Sequence, residues 1–200
     1  MRALAVIPAR GGSQRIKMKN VRSFHGKPII AYSILTARAS GLFDCIIVST
    51  DDERIAAVAR AYGAKIHQRG RLLAQDEVGT QEVMAAVLEW RTKTAHAPLP
   101  EFACCIYPCA PLMETSDLVR GLDELKQDTM LGFVFSSDAS DVDAGQWYWG
   151  RTSAFLARTP LEPPHAVRHY LPPDQVCDIN TEEDWNRCEI LYQAQERVTI

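Results

Sequence analysis

The stretch ALAVIPARGGSQRIKMKN, residues 3–20, sets an apolar run against a proline and then a glycine-rich, basic segment. Residues 2–7 read as a short buried strand, and Pro8, Ala9, Arg10, Gly11, Gly12 and Ser13 supply the turn chemistry that ends it. Glycines let backbone N–H groups approach phosphate oxygens, and Arg10, Arg15, Lys17, Lys19 and Arg22 bring positive charge to the same place. On this segment's chemistry alone a second reading stands beside it: a Gly-Gly turn with a solvated basic face. The loop has neither the GxxxxGK[ST] order of a P-loop nor the GxGxxG order of a dinucleotide fingerprint.

Outward from this loop, helical and strand patterns alternate. Pro28 opens a helix to about Ser40, residues 45–49 are β-rich, residues 51–62 carry acids in a first helical turn, and residues 64–67 form a short strand. Thr80 caps a helix to about Thr94, residues 102–107 are a strand, and a helix from Thr115 or Ser116 ends near Gln127. Residues 131–135 and 146–149 read as strands, 159–173 as a proline-rich loop, and Thr181 opens an acid-capped last helix. This alternation predicts one α/β domain over residues 1–200, three-layer α/β/α and Rossmann-like. Its sheet is mainly parallel, with ligands outside the carboxyl ends of the strands.

At 200 residues the chain has room for a real core, and 22 basic against 25 acidic residues give a formal charge of −3. No basic stripe suits nucleic acid, and no apolar segment has membrane length. The N-terminal apolar part is too short for a signal peptide, so the expected setting is the cytoplasm. Cys45, Cys104, Cys105, Cys109, Cys177 and Cys188 form no CxxC pair and read as buried, reduced thiols. The histidines have no visible nucleophile partner. Without a GxSxG elbow or an HExxH helix, serine-hydrolase and zinc-protease chemistry have little support.

IPARGGSQRIKMKN, then GKPIIAYSI and IIVSTDDERIA, resembles the sialic-acid cytidylyltransferases, and the likeness extends along most of the chain. CCIYPCAPLM, DAGQWYWG and DINTEEDW are similar to later motifs of the branch that makes CMP-pseudaminic acid. The pair Lys19–Asn20 favours this nine-carbon branch over relatives acting on the eight-carbon sugar Kdo, which usually carry proline where this chain has Asn20. The resemblance implies a nucleotide-diphospho-sugar transferase fold. It further implies CTP and a nine-carbon 2-keto sugar acid as substrates, Mg²⁺ as cofactor, and leaves a homodimer open.

By the same resemblance, Ala9, Arg10, Gly11, Gly12, Ser13 and Asn20 contact the nucleotide, with Arg69 and Thr80 in a second region that includes residues 76–80. Arg10, Lys19 and Asp178 carry catalysis: a guanidinium fork can hold two phosphate oxygens, and an ammonium can follow the charge on departing pyrophosphate. Asn20, Asp143 and Gln146 contact the sugar, while Trp147 and Tyr148 shape its pocket. Asp178 and Asn180 hold the metal. Residues 108–112, PCAPL, resemble a family turn that lies below the sugar pocket. Each assignment has a structural alternative: helix cap for Thr80, rigid turn for residues 108–112, core packing for at least one of Trp147 and Tyr148, and turn organisation for Asp178 and Asn180.

Three departures from the family pattern bear on activity. Gln14 stands where a lysine is usual, Asn180 where a second aspartate is expected, and residues 135–143 pass quickly between motifs that relatives separate by a subunit-pairing insertion, short or absent here around 136–142. Either the arm is lost, or the chain joins residues across a gap. Two function classes follow: an active cytidylyltransferase for pseudaminate, with N-acetylneuraminate or legionaminate as runner-up substrates, or an inactive nucleotide- or sugar-binding relative.

Overall fold

The structure is a computed structural model that describes residues 3–75, 77–95 and 98–198. Arg2, expected in the first strand, and Asp76, expected in the second nucleotide region, lie outside the described residues. Strand β1 (Ala3–Pro8) leads through a 3-10 turn at Lys19–Val21 and a small hairpin, β2 (Ser23–Phe24) and β3 (Lys27–Pro28), into α1 (Ile29–Ala39). There follow β4 (Phe43–Thr50), α2 (Glu53–Ala61), β5 (Lys65–Gln68), α3 (Thr80–Ala95), β6 (Phe102–Ile106) and α4 (Thr115–Gln127). The last part holds β7 (Phe133–Ser137), β8 (Asp143–Arg151), α5 (Thr152–Ala157), β9 (Ala166–Tyr170) and α6 (Glu182–Val198).

The seven-stranded sheet has the order β5-β4-β1-β6-β8-β7-β9. All its strands run one way except β8, which is antiparallel to both β6 and β7. Besides the β2–β3 hairpin, which falls in a stretch read as loop, two further elements differ from the sequence expectation. Residues 159–173 were expected as loop, yet β9 pairs parallel with β7 from Ala166 to Tyr170, and α5 was not expected at all. Prolines at 160, 163, 164, 172 and 173 flank a strand too short and too polar to stand out from them.

Side-chain alternation along the strands builds the three layers. Ala3, Ala5 and Ile7 of β1 join a core with Ile30 and Ile34 of α1, Ile55 of α2, and Leu118 and Leu122 of α4. Leu4 and Val6 face the other way, onto Val83, Met84 and Val87 of α3 and Phe155 of α5. The same rule separates Cys104 from Cys105 and puts Trp147 and Trp149 on one face with Tyr148 on the other. All six cysteines are buried and free.

A third cluster closes the end near the basic loop: Ile16, Phe24, Tyr32, Cys109, Cys177, Trp185 and Cys188. It presses α6 onto the loop and the β2–β3 hairpin. Between β7 and β8 the chain turns tightly, with Asp138 N donating to Val142 O at 2.8 Å and Asp138 Oδ1 accepting from the amides of Ser140 and Val142.

Candidate active site

β4 and β5 extend the sheet to one side of β1, while β6, β8, β7 and β9 extend it to the other. This is the topological switch point, where the connections leave a crevice outside the strands' carboxyl ends. A cleft of ≈ 490 Å³ opens there. Its walls are Pro8, Arg10, Ser13, Gln14, Arg15, Lys19 and Asn20 after β1, Tyr107, Pro108 and Cys109 after β6, Gly145 in β8, and Asp178 and Asn180 before α6. Because β8 runs antiparallel, its beginning, with Asp143 and Gly145, reaches the end of the sheet where its neighbours finish.

The loop is tied down from several directions. Ala9 N donates to Ser49 O at 2.9 Å, and Gly11 N donates to Asp51 Oδ1 at 2.8 Å. A Cβ on Gly11 would lie 2.7 Å from Asp52 Cβ, so only glycine allows this approach to the β4–α2 turn. Asp51, expected as a first-turn helix acid, thus anchors the loop, and the Gly11 amide is engaged by that carboxylate. Asp52 caps α2 by accepting from Arg54 N at 2.8 Å. Asn20 is buried, with Nδ2 donating to Arg10 O at 2.9 Å and Oδ1 accepting from Cys109 Sγ at 3.3 Å, so its amide staples the loop to the end of β6. Burial pushes the Cys109 thiol up to about 12 against the pull of Lys19, leaving it a neutral donor.

Lys19 spans the cleft: its Nζ donates to Ile179 O at 2.6 Å, between Asp178 and Asn180. On that wall Asn180 Nδ2 donates to Asp178 Oδ2 at 2.6 Å. The segment is anchored by Asp184, whose carboxylate accepts from the amides of Asn180 and Thr181, while its own N–H donates to the Thr181 hydroxyl oxygen in a capping box for α6. Those bonds, the Asn180 amide foremost, hold the Asp184 carboxyl below its usual range. Gly145, at φ +64°, lets Asp178 pack against β8, since a Cβ there would lie 3.1 Å from Asp178 Cγ. Asp143 is exposed as a residue, but its carboxyl turns inward to accept from Gly145 N at 2.8 Å and from the Tyr148 hydroxyl. Burial raises its pKa, the Gly145 amide opposes that, and the Asp178 charge adds to it.

The cleft therefore brings together Arg10, Ser13, Lys19, Asn20, Asp178 and Asn180, with Asp143 at its edge. Ala9 is fully buried behind it. Arg69, just after β5, is buried against the end of β4, its guanidinium donating to Ser49 Oγ and Ser49 O, and burial draws its pKa down. Gln146 is 2% exposed, with Nε2 on Gln175 O, beneath the cleft rather than among its lining residues. Thr80 is the first residue of α3, which puts the capping position at Gly79; its hydroxyl meets Tyr107 Oη at 3.1 Å. Arg22, expected among the phosphate-facing cations, turns to α6, stacking 4.3 Å from the Trp185 ring and pairing with Glu182.

Tyr107 is a lining residue that the sequence reading did not single out, while Pro108 and Cys109 belong to the 108–112 turn that the resemblance placed below the sugar pocket. A signal was available for the tyrosine: a hydroxyl-bearing side chain at the first position after a fully buried strand, next to Pro108. Among the described residues no group of three or more His, Cys, Asp or Glu could hold a metal ion, and no helix is long and apolar enough to cross a membrane.

A family model described as cytidylyltransferase matches residues 4–147. The chain is 33% identical over 229 aligned positions to the pseudaminic acid cytidylyltransferase of Campylobacter jejuni serotype O:23/36 (strain 81-176), covering 97% of both proteins. That alignment is longer than the 200-residue chain, so the relative holds residues with no counterpart here. A CMP-N,N'-diacetyllegionaminic acid synthase of Legionella pneumophila is 47% identical over 90 residues, 44% of this chain and 38% of that protein. In fold, the chain is similar to a CMP:2-keto-3-deoxy-manno-octonic acid synthetase solved in complex with CTP, with a TM-score of 0.71 at 16% identity, covering 98% of this chain and all of the other.

Proposed function

This chain belongs to the cytidylyltransferase family, a family of nucleotidyltransferases, and from that premise we propose that it joins CMP from CTP to the anomeric hydroxyl of pseudaminic acid, releasing pyrophosphate. The observation that carries the reading is the convergence of Arg10, Ser13 and Lys19 with Asp178 in one cleft at the switch point of the sheet. Cations on one wall and a carboxylate on the other suit a substrate pair of triphosphate and alcohol.

In this reading the sugar hydroxyl attacks the α-phosphorus in line with departing pyrophosphate. Arg10 holds phosphate oxygens, and Lys19 places its remaining N–H donors on the side where negative charge builds. Asp178 accepts the hydroxyl proton, and Asp143 orients the sugar. Mg²⁺ suits the oxygen donors present: Asp178 and the Asn180 side-chain carbonyl would hold it, and substrate phosphates would complete its shell. When bound, the ion neutralises triphosphate charge. The proposed setting is the cytoplasm, which suits free thiols.

The assay is pyrophosphate release from CTP and Mg²⁺ with pseudaminic acid, N-acetylneuraminic acid, legionaminic acid and Kdo in parallel. Release chiefly with pseudaminic acid is expected. Preference for legionaminic acid would move the chain to that branch, which the 90-residue likeness to the Legionella protein supports. Silence with all four, despite CTP binding, would make it an inactive relative.

Gly145→Ala tests the packing of the acidic wall. Left-handed backbone costs an alanine about 1 kcal/mol, and the new methyl must displace Asp178 from 3.1 Å. Urea unfolding should show that loss of stability, and turnover should fall about 10-fold because the carboxylate is misplaced. Full activity would mean that the position of Asp178 against β8 is immaterial.

A further inference from the structure

Asn20 is held at two points, one at each end of its amide. Its Nδ2 donates to Arg10 O at 2.9 Å, and its Oδ1 accepts from Cys109 Sγ at 3.3 Å. The reverse orientation would set the amide oxygen against the Arg10 carbonyl, two acceptors with no proton between them, so the chemistry of the partners fixes which end is which. One N–H of Nδ2 then has no protein partner among the described residues. Asn20 is 5% exposed and lines the cleft, so the cleft is where that N–H finds an acceptor.

The two sides of the Cys109–Asn20 contact are anchored unequally. Cys109 follows β6 on a turn that the sheet holds: Tyr107 N donates to Gln146 O at 2.8 Å, and Tyr107 O accepts from Ser33 Oγ at 2.7 Å. The cysteine itself packs in the apolar cluster with Phe24, Tyr32 and Trp185. Asn20 sits on the basic loop, in a 3-10 turn entered through Met18 in the left-handed region at φ 56°. The last torsion of an asparagine has a broad, shallow preference, so a single hydrogen bond leaves the amide free to rock. A second bond, on the opposite atom and from a rigid wall, sets its plane. Burial keeps the Cys109 proton in place for this bond.

We propose that Cys109 is a positioning residue for ligand binding: its S–H sets the plane of the Asn20 amide, so that the second Nδ2–H is aimed at a ligand oxygen. The only proton of the thiol is committed to Asn20, and Cys109 therefore acts through that residue. The inference rests on the cytidylyl-transfer reading for the identity of the ligand. An oxygen of the required kind has two sources there: a hydroxyl or phosphate of CTP, or a hydroxyl or carboxylate of the sugar acid.

The test is a double-mutant cycle of Cys109→Ala and Asn20→Ala, joined by Cys109→Ser, which restores a donor, and Cys109→Val, which fills the space without one. It measures Kd for CTP by calorimetry, and KM and kcat for pseudaminic acid at saturating CTP, with unfolding midpoints to confirm that the fold is kept. If the oxygen belongs to CTP, Kd rises about 10-fold in Cys109→Ala and Cys109→Val, as leaving a buried acceptor unpaired does, and Cys109→Ser recovers about threefold or more. If it belongs to the sugar, the same pattern falls on the sugar KM, with Kd for CTP and kcat nearly unchanged. In either case Cys109→Ala adds less than about twofold in the Asn20→Ala background, because the thiol acts through the amide. The infrared S–H stretch reads the contact itself. The Cys109 band, taken as wild type minus Cys109→Ala, should move to higher frequency when taken as Asn20→Ala minus the double variant. Valine performing as well as serine, a Cys109→Ala protein within about twofold of wild type in both readouts, a full effect of Cys109→Ala without Asn20, or an S–H band indifferent to Asn20 would each overturn the proposal. Wild type silent with every sugar would sink the transfer reading instead; calorimetric binding of CTP and pseudaminic acid, and the S–H band, would then decide the role of Cys109 by the same criteria.

Discussion

Asp178→Ala is expected to lower pyrophosphate release by about 10³-fold, the usual range for losing a positioned acid–base group, with loss of metal support acting in the same direction. The fold should hardly notice. Asp178 is exposed, its carboxylate accepts from Asn180 Nδ2, and the segment is anchored independently by Asp184 and the α6 capping box, so the change in unfolding free energy should stay within about 0.5 kcal/mol. Calorimetric titration of Mn²⁺ in the presence of CTP separates the two roles of the side chain. Weakened binding in Asp178→Ala assigns it a metal-holding role, whereas unchanged affinity with lost turnover leaves it as the proton acceptor alone. Asn180→Asp should tighten the metal in the same titration by adding the charge that the asparagine carbonyl lacks. Retained turnover in Asp178→Ala would remove the residue from catalysis.

Much of this site was legible because its parts sit where a buried strand stops. β1 declares itself by its apolar run and Pro8, β6 by five buried residues before Tyr107, and both ends form the cleft. The sequence could not say where each side chain turns. Arg22 carries the same charge as Arg10 and lies in the same basic segment, yet the Trp185 face and Glu182, 160 residues away in sequence, claim it. Gln146 stands in the motif that the resemblance assigns to the sugar, but its side chain turns away from the cleft lining, onto Gln175. Asp51 read only as an acid for a helix dipole; the approach of the β1 loop to the β4–α2 turn makes it an anchor for Gly11 instead. The antiparallel insertion of β8 was hidden for a similar reason. Strand direction is set by pairing with β6 and β7, not by the strand's own residues, and it is this reversal that carries Asp143 and Gly145 to the ligand side.

Lys19→Met carries the second large expected effect. The ammonium has three donors, one of them committed to Ile179 O at 2.6 Å, and its position on the cleft leaves the others toward the ligand. Removing the charge should lower kcat/KM for CTP by about 10²- to 10³-fold, as losing one preorganised donor to a developing anion does. Most of that loss should fall in kcat, because the interaction strengthens as negative charge moves onto the departing pyrophosphate. The same substitution cuts the tie between the β1 loop and the segment before α6, costing about 1 kcal/mol of stability on urea unfolding. Lys19→Arg discriminates the charge from the tie. A guanidinium keeps the charge but is planar and broader, and it cannot both donate to a carbonyl in this narrow space and follow a moving phosphate. It should therefore restore part of the stability and little of the rate. Full rescue by arginine would show that net positive charge suffices there, and an unchanged rate in Lys19→Met would move the task of stabilising pyrophosphate to Arg10 or Arg15 on the same wall.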